Sequence, residues 1–147
     1  MQKQKERNQP MSVRIKQVVP ATGDFLLDQA TRDYIGKYLA PDTVVDVEVI
    51  PEGQYSIESE YDEAVNAPQV VKLCKKAAAE GYDGIYVDCF GDPGVRAARE
   101  CVCIPVFGGF EPAMLMAMGL GDKIGIVTVL KNVIPLIEGS IAKAHLD

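Results

Sequence analysis

From Val13 onward, short β-branched runs alternate with segments of helical spacing, and turn residues fall where one kind hands over to the other. That alternation argues for an α/β domain. The first run, Val13 to Val19, stops at Pro20 and is followed by Ala21-Thr22-Gly23-Asp24, a turn with a helix N-cap candidate. A helix is predicted from Phe25 to about Leu39, ending before Pro41. The second strand is Thr43 to Ile50, with Val45, Val47 and Val49 on one face and Asp46 and Glu48 on the other, a pattern suited to the edge of a sheet. Residues 51–61 are acidic, turn-rich and aperiodic, and read as a mobile loop over one end of the sheet. The next helix is predicted with Asn66 as N-cap and Pro68 in its first turn, running through Val70, Val71, Leu73 and Cys74 to Gly81. Gly84 to Phe90 is the third strand, Asp92-Pro93 an N-cap with proline at the first helical position, and a short helix through Val95, Ala98 and Cys101 leads to Ile104-Pro-Val-Phe107. The last third repeats the pattern: a helix from Ala113 to Leu120 opened by Gly108-Gly-Phe-Glu-Pro112, a strand from Lys123 to Val129, and a helix from Lys131 to about His145. Four or five parallel strands in this order imply right-handed crossovers and a sheet with helices on both faces.

Composition excludes several classes. With 48% hydrophobic and 24% charged residues in 147, the bulk of the chain is not disordered, and its length suffices for a sizeable core. The four cysteines are therefore not needed as a disulfide framework. A net charge of −6, with no stretch that concentrates Lys and Arg apart from the first 16 residues, argues against nucleic acid as a ligand. No apolar run approaches the roughly 20 residues that span a bilayer. Residues 1–12 are polar, with no apolar stretch after their charges, and read as a disordered leader rather than a signal peptide or anchor. The expected location is the cytoplasm, with reduced thiols and no membrane partner.

In open α/β sheets, ligands bind beyond the carboxyl ends of the strands. The chemistry-bearing residues there are Pro20 to Gly23, the loop 51–61, Cys89 to Gly94, Gly108 to Glu111 and Thr128. Cys89 stands out as the last residues of a buried strand give way to a helix N-terminus, whose free amides and dipole would favour a thiolate. Gly91 and Gly94 would let the backbone approach a small ligand. Cys74 falls on an apolar helix face and reads as core, as do Met114, Met116 and Met118. Cys101 and Cys103, with one distant histidine, do not make a metal-ligand set. His145 reads as a surface residue. The acidic cluster Glu58, Glu60, Asp62 and Glu63 could serve a general base, but solvated loop and helix N-terminal charge explain it more simply. Neither a dinucleotide fingerprint nor a Walker motif occurs.

Glu58-Ser-Glu-Tyr-Asp-Glu-Ala64 followed by Pro68, Gly84-Ile-Tyr-Val-Asp-Cys-Phe-Gly-Asp-Pro-Gly94, Ala97-Ala-Arg-Glu100, Ile104-Pro-Val106 and Ile126-Val-Thr128 together resemble the aspartate/glutamate/hydantoin racemase superfamily, in particular its hydantoin/allantoin branch. The resemblance implies cofactor-independent chemistry at an acidic carbon beside a carbonyl, in which one cysteine thiolate removes a proton from one face while a second cysteine delivers a proton to the other. It implies Cys89 as the first catalytic cysteine, Phe90, Gly91 and Asp92 as the turn shaping the substrate pocket, Thr22 as part of the first substrate loop, and Thr128 as a contact from the second lobe. The expected substrate is hydantoin-like or amino-acid-like, with no metal and no cofactor.

The chain departs from the family pattern at the end of the first strand, where Val19-Pro20-Ala21-Thr22 replaces a more polar sequence. The family's chains are also longer, built of two similar lobes, with the second cysteine in the later part. Cys101 and Cys103 precede a strand, which would put them at the end of the sheet opposite Cys89. The expected organisation is a first racemase-like lobe over residues 13–103 and the start of an incomplete second lobe over 104–147. Two other readings stay open: a non-enzymatic small-molecule-binding or interaction domain, and a single-cysteine decarboxylase. A lobe without its partner elements would leave helix 113–120 uncovered, so homo-oligomerisation is expected.

Overall fold

The computed structural model describes residues 12–23 and 29–145. Residues 1–11 of the leader, the N-cap candidate Asp24 and residues 25–28 of the first predicted helix lie outside them. Four strands form one parallel sheet: β1 (Val13–Val19), β2 (Thr43–Val49), β3 (Gly84–Val87) and β4 (Val106–Phe107), in the order β2-β1-β3-β4. Between and after them run α1 (Gln29–Gly36), α2 (Glu60–Ala79), α3 (Val95–Cys101), α4 (Phe110–Met118) and, following a 3-10 turn at Lys131–Val133, α5 (Ile134–Lys143). The register pairs Val13 with Thr43 through Val19 with Val49 on one side of β1, and Ile15 with Gly84 through Val18 with Val87 on the other. β2 is an edge strand, as its alternation predicts.

The core lies between the sheet and the pair α2 and α3. Val18, Ile85, Val87 and Val106 from the strands meet Val70, Leu73, Cys74 and Ala77 of α2 and Val95 and Ala98 of α3. β2's acidic residues are paired rather than bare. Glu48 takes ion pairs from the buried Lys16 at 2.9 Å and from Lys76 at 2.7 Å, while Asp46 accepts a hydrogen bond from Tyr82. Phe110, Met114 and Ile137 form a second, smaller cluster that joins α4 to α5.

Cys74 is fully buried in the core, as expected. That burial pushes its thiol up to about 11 from the ordinary 9.0. The folded state therefore holds this proton where the unfolded state has lost it. Stability should fall as pH rises from about 9 to about 11, with Cys74 contributing on the order of 2 kcal/mol to the loss. Urea midpoints measured across that window should decline in the parent protein and less steeply in Cys74→Ala.

Several boundaries differ from the sequence expectation. α2 starts at Glu60, where Ser59 is the N-cap and its side chain accepts from the Asp62 amide, not at Asn66. Glu60, Asp62 and Glu63 place negative charge in the first turn, where the helix dipole favours it. Pro68 thus sits inside the helix rather than in its first turn, and Asn66 is buried on its inner face. The loop before α2 is pinned, not loose: the Asn66 side chain reaches both Pro20 and Gln54. Asp92 does not cap α3, whose N-cap is Gly94 at φ 73°. β3 ends at Val87, and α4 begins at Phe110, three residues earlier than its apolar run suggests.

Residues 123–129 are not a strand. A strand needs a hydrogen-bonded neighbour, and the sheet ends at the two-residue β4. The stretch has no regular secondary structure and leaves Val127 99% and Val129 89% exposed. Of the three methionines in α4 only Met114 is buried, because Met116 and Met118 face away from the Phe110 cluster. No helix among the described residues is long and apolar enough to cross a membrane.

Candidate active site

Beyond the carboxyl end of β3, the backbone turns sharply at Cys89–Asp92. The Asp92 amide donates to the Cys89 carbonyl at 3.2 Å, and Asp92 itself adopts φ 52°. A second turn, Gly108-Gly109, lies directly against this one. A side-chain carbon on Gly109 would come within 3.1 Å of the Cys89 carbonyl, and one on Gly108 would overlap the Asp92 carboxylate. The two glycines are there because a bare backbone is the only one that fits.

Asp92 joins the two turns. Its carboxylate accepts from the amides of Phe110 at 2.9 Å and Glu111 at 3.2 Å, and it is also held by the Gly109 amide. It therefore caps α4, an element distant in sequence, instead of the α3 it precedes. Phe90 packs edge-on against Phe110, their ring centroids 5.3 Å apart. A cavity of about 230 Å³ opens beside this junction, lined by Glu63 of α2, Gly91, Asp92, Arg96 of α3, Phe110 and Lys143 of α5, among others.

The electrostatics around Cys89 reverse the sequence expectation. Its thiol is pushed up to about 11, first by burial and then by the charges of Glu63, Asp92 and Asp88; the Gly91 amide hydrogen-bonded to the sulfur pulls the other way. The helix expected to open at Asp92 starts only at Val95, after two left-handed residues, Asp92 and Gly94. At neutral pH Cys89 is a thiol, not a thiolate. Burial likewise raises the pKa of Glu63 and Asp92.

The predicted residues divide. Cys89, Phe90, Gly91 and Asp92 form the turn, and Gly91 and Asp92 line the cavity. Thr22 lies past the end of β1, its amide donating to the Gln54 carbonyl, and does not line that cavity. Thr128 lies in the irregular stretch after α4, partly buried, and does not line it either. Cys101 ends α3 and Cys103 precedes β4, both exposed and on the opposite side of the sheet's strand ends from Cys89. Among the described residues no three His, Cys, Asp or Glu side chains gather as metal ligands would.

Sequence reasoning missed Glu63 and Asn66 as inward-facing residues. Their signal was present: Glu63, Asn66, Val70, Leu73 and Ala77 recur at helical spacing, so one face continues back from the apolar half of α2 into its polar beginning.

A parallel sheet with a cysteine and a capped glycine turn beyond its third strand, and a cavity beside that turn, defines an α/β protein of the kind that binds its ligands at the strand ends. Residues 22–147 match the Asp/Glu/Hydantoin racemase family model, and the chain belongs to that family. It is 41% identical over 86 residues to a hydantoin racemase of Pseudomonas sp. (strain NS671), covering 58% of this chain and 34% of that protein. A hydantoin racemase of Paenarthrobacter aurescens is 28% identical over 117 residues, 79% of this chain and 50% of that protein. Among solved structures, the allantoin racemase from Klebsiella pneumoniae superposes with a TM-score of 0.83 at 32% identity, covering 91% of this chain and 54% of that one. The allantoin racemase from Pseudomonas fluorescens gives 0.82 at 25% identity, covering 91% of this chain and 56% of that one. The chain thus spans about a third to a half of the curated relatives and little more than half of the solved structures.

Proposed function

We propose that this chain forms the first lobe of a cofactor-independent racemase acting on a hydantoin-like or amino-acid-like substrate, with Cys89 as one of its two acid/base groups. The observation that carries the reading is the placement of Cys89 in the turn beyond β3, next to a cavity that Gly91, Asp92 and Gly94 help to line. In this reading Cys89 is the acid of the resting pair. A base on the opposite face of the substrate takes the proton from the carbon beside the carbonyl, and Cys89 delivers its own proton to the near face. A carbon–hydrogen bond forms, and the sulfur keeps the electron pair as thiolate. The opposite enantiomer runs the two roles in reverse. Amides and side chains around the carbonyl would stabilise the enolate-like charge. Phe90, Gly91 and Asp92 shape the near wall, and Thr22 and Thr128 are the proposed contacts from the neighbouring loop and the second lobe.

The second base is assigned to the later lobe, so the chain by itself should leave the optical rotation of an enantiopure 5-substituted hydantoin unchanged. The direct test is alkylation of the half-buried Cys89 by iodoacetamide, read by peptide mass spectrometry because Cys101 and Cys103 are exposed and react too. Hydantoin or allantoin should slow the Cys89 adduct and leave those at Cys101 and Cys103 unaffected. Equal rates with and without ligand would overturn the reading. Rotation that decays and is abolished by Cys89→Ala would instead place both bases on this chain.

A thiol that rests protonated would equally protonate a carbanion left by loss of carbon dioxide. Release of carbon dioxide from an arylmalonate would select that single-cysteine decarboxylase reading. The exposed Leu115, Met116, Leu120, Val127 and Val129 support association with a second copy or the remaining lobe. The four free thiols suit a reducing compartment such as the cytoplasm.

A further inference from the structure

Four acidic side chains cluster at the start of α2, and the structure separates them by role. Glu58 accepts a hydrogen bond from Ser56, and Asp62 is engaged by the Ser59 hydroxyl and the Glu58 amide, so both serve the loop and the cap. Glu60 is in the outer first turn. Glu63 alone of the four lines the cavity beside Cys89. The point that a side-chain carbon on Gly91 would occupy lies 3.7 Å from Glu63 Oε2 and 3.9 Å from Cys89 Sγ. Gly91 therefore leaves an open gap with the carboxylate on one side and the sulfur on the other.

We propose that Glu63 is the positioning residue for the Cys89 proton: its carboxylate, facing the sulfur across the gap at Gly91, keeps the thiol protonated in the free protein. The proposal rests on the reading of Cys89 as the acid. Two negative charges in one partly buried site repel, so ionised Glu63 opposes the thiolate. The other charges around the site come from every neighbouring element: Asp88 and Asp92 from the turn, Arg96 from α3, Glu111 from α4 and Lys143 from α5. Asp92 is committed to the amides of α4, and Glu111 to Arg99 at 2.6 Å. Lys143 faces Glu63 and favours its charged form, while Glu60 and Asp92 disfavour it. Asp88 accepts hydrogen bonds from the Gln17 side chain at 2.8 Å and the Tyr86 hydroxyl at 3.3 Å. Glu63 is thus the carboxylate near the sulfur that no cap, side-chain hydrogen bond or ion pair at hydrogen-bond distance claims among the described residues, and Lys143 favours its charged form.

The consequence is a donor that stays loaded until a ligand enters the gap. The experiment needs no ligand and no turnover, so its failure is distinct from failure of the hydantoin protection test. Iodoacetamide alkylation of Cys89 is followed against pH in the parent chain, Glu63→Gln, Glu63→Asp and Glu60→Gln, with Cys74 in the core as an internal monitor of unfolding. In Glu63→Gln the profile should move to lower pH and the rate at pH 8 should rise about tenfold, the effect of one pKa unit on a minor thiolate population. Glu63→Asp and Glu60→Gln should stay close to the parent, and Cys74 should stay unreactive. A Glu63→Gln profile that superimposes on the parent overturns the proposal. So does a Glu63→Asp profile as fast as Glu63→Gln, or a rise at Cys74 that tracks the rise at Cys89, since either assigns Glu63 a packing role.

Discussion

Replacing Asn66 by alanine should lower the free energy of unfolding by roughly 3 kcal/mol, a large part of what a domain of this size has. Asn66 is fully buried, and its side chain makes three hydrogen bonds to backbone: it donates to the Pro20 carbonyl at 2.8 Å and the Gln54 carbonyl at 3.2 Å, and accepts from the Gln54 amide at 2.7 Å. Alanine would leave all three groups without this partner in a site that water enters poorly, so the cost is that of stranding polar groups and not only of losing contacts. Gly53, at φ 136°, packs against the same side chain. The loop after β2, the end of β1 and the middle of α2 therefore loosen together. Urea unfolding would show a lower midpoint, and hydrogen exchange would show faster amides at Thr22 and Gln54. A midpoint within experimental error of the parent would mean that water replaces the amide.

The second large effect is expected at Asp92. Asp92→Ala removes the acceptor for the amides of Gly109, Phe110 and Glu111, and should cost about 2 kcal/mol, the upper range for loss of a helix N-cap. A left-handed φ of 52° adds to the penalty, since alanine tolerates that region less well than aspartate. Asp92→Asn keeps an acceptor and should lose less. The distinguishing readout is local. Exchange at Phe110 and Glu111 should accelerate before exchange in the sheet, because α4 is joined to the Cys89 turn chiefly through this carboxylate and the Phe90–Phe110 contact. Uniform acceleration across the chain would show instead that Asp92 acts on the whole fold.

Most of the architecture is readable from short-range pattern. β1 and β2 need only β-branched residues and a following turn, and their observed spans agree with the sequence to within a residue. What could not be read depends on partners distant in the chain. Asp92-Pro93 has the form of a local cap, but its carboxylate finds amides in the Gly108-Gly109 turn, which only the pairing of β3 with β4 brings near. Asn66 looks like the start of a helix because asparagine so often is one; tertiary hydrogen bonds to Pro20 and Gln54 explain it instead. Lys123 to Val129 has strand composition, and composition cannot supply the neighbour a strand needs. The location of Cys89 was legible from strand and turn, but its protonation was not. That depends first on burial and then on the charges of Glu63, Asp92 and Asp88, which the folded chain gathers round the sulfur.

The strand order has a bearing on how the chain acquires this structure. β1 is the first strand in sequence and an inner one in the sheet, flanked by β2 and β3. Its second ladder, to β3, joins residues that are 69 apart at the Arg14–Asp83 hydrogen bond, with α1, β2 and α2 in between. Closing so long a segment costs chain entropy before any long-range contact is made. During synthesis β1 and β2 can pair early, but the side of β1 that β3 will occupy stays open until Val87 has left the ribosome. Cys89 follows within two residues of that point, so its turn is assembled only when the inner strand is closed.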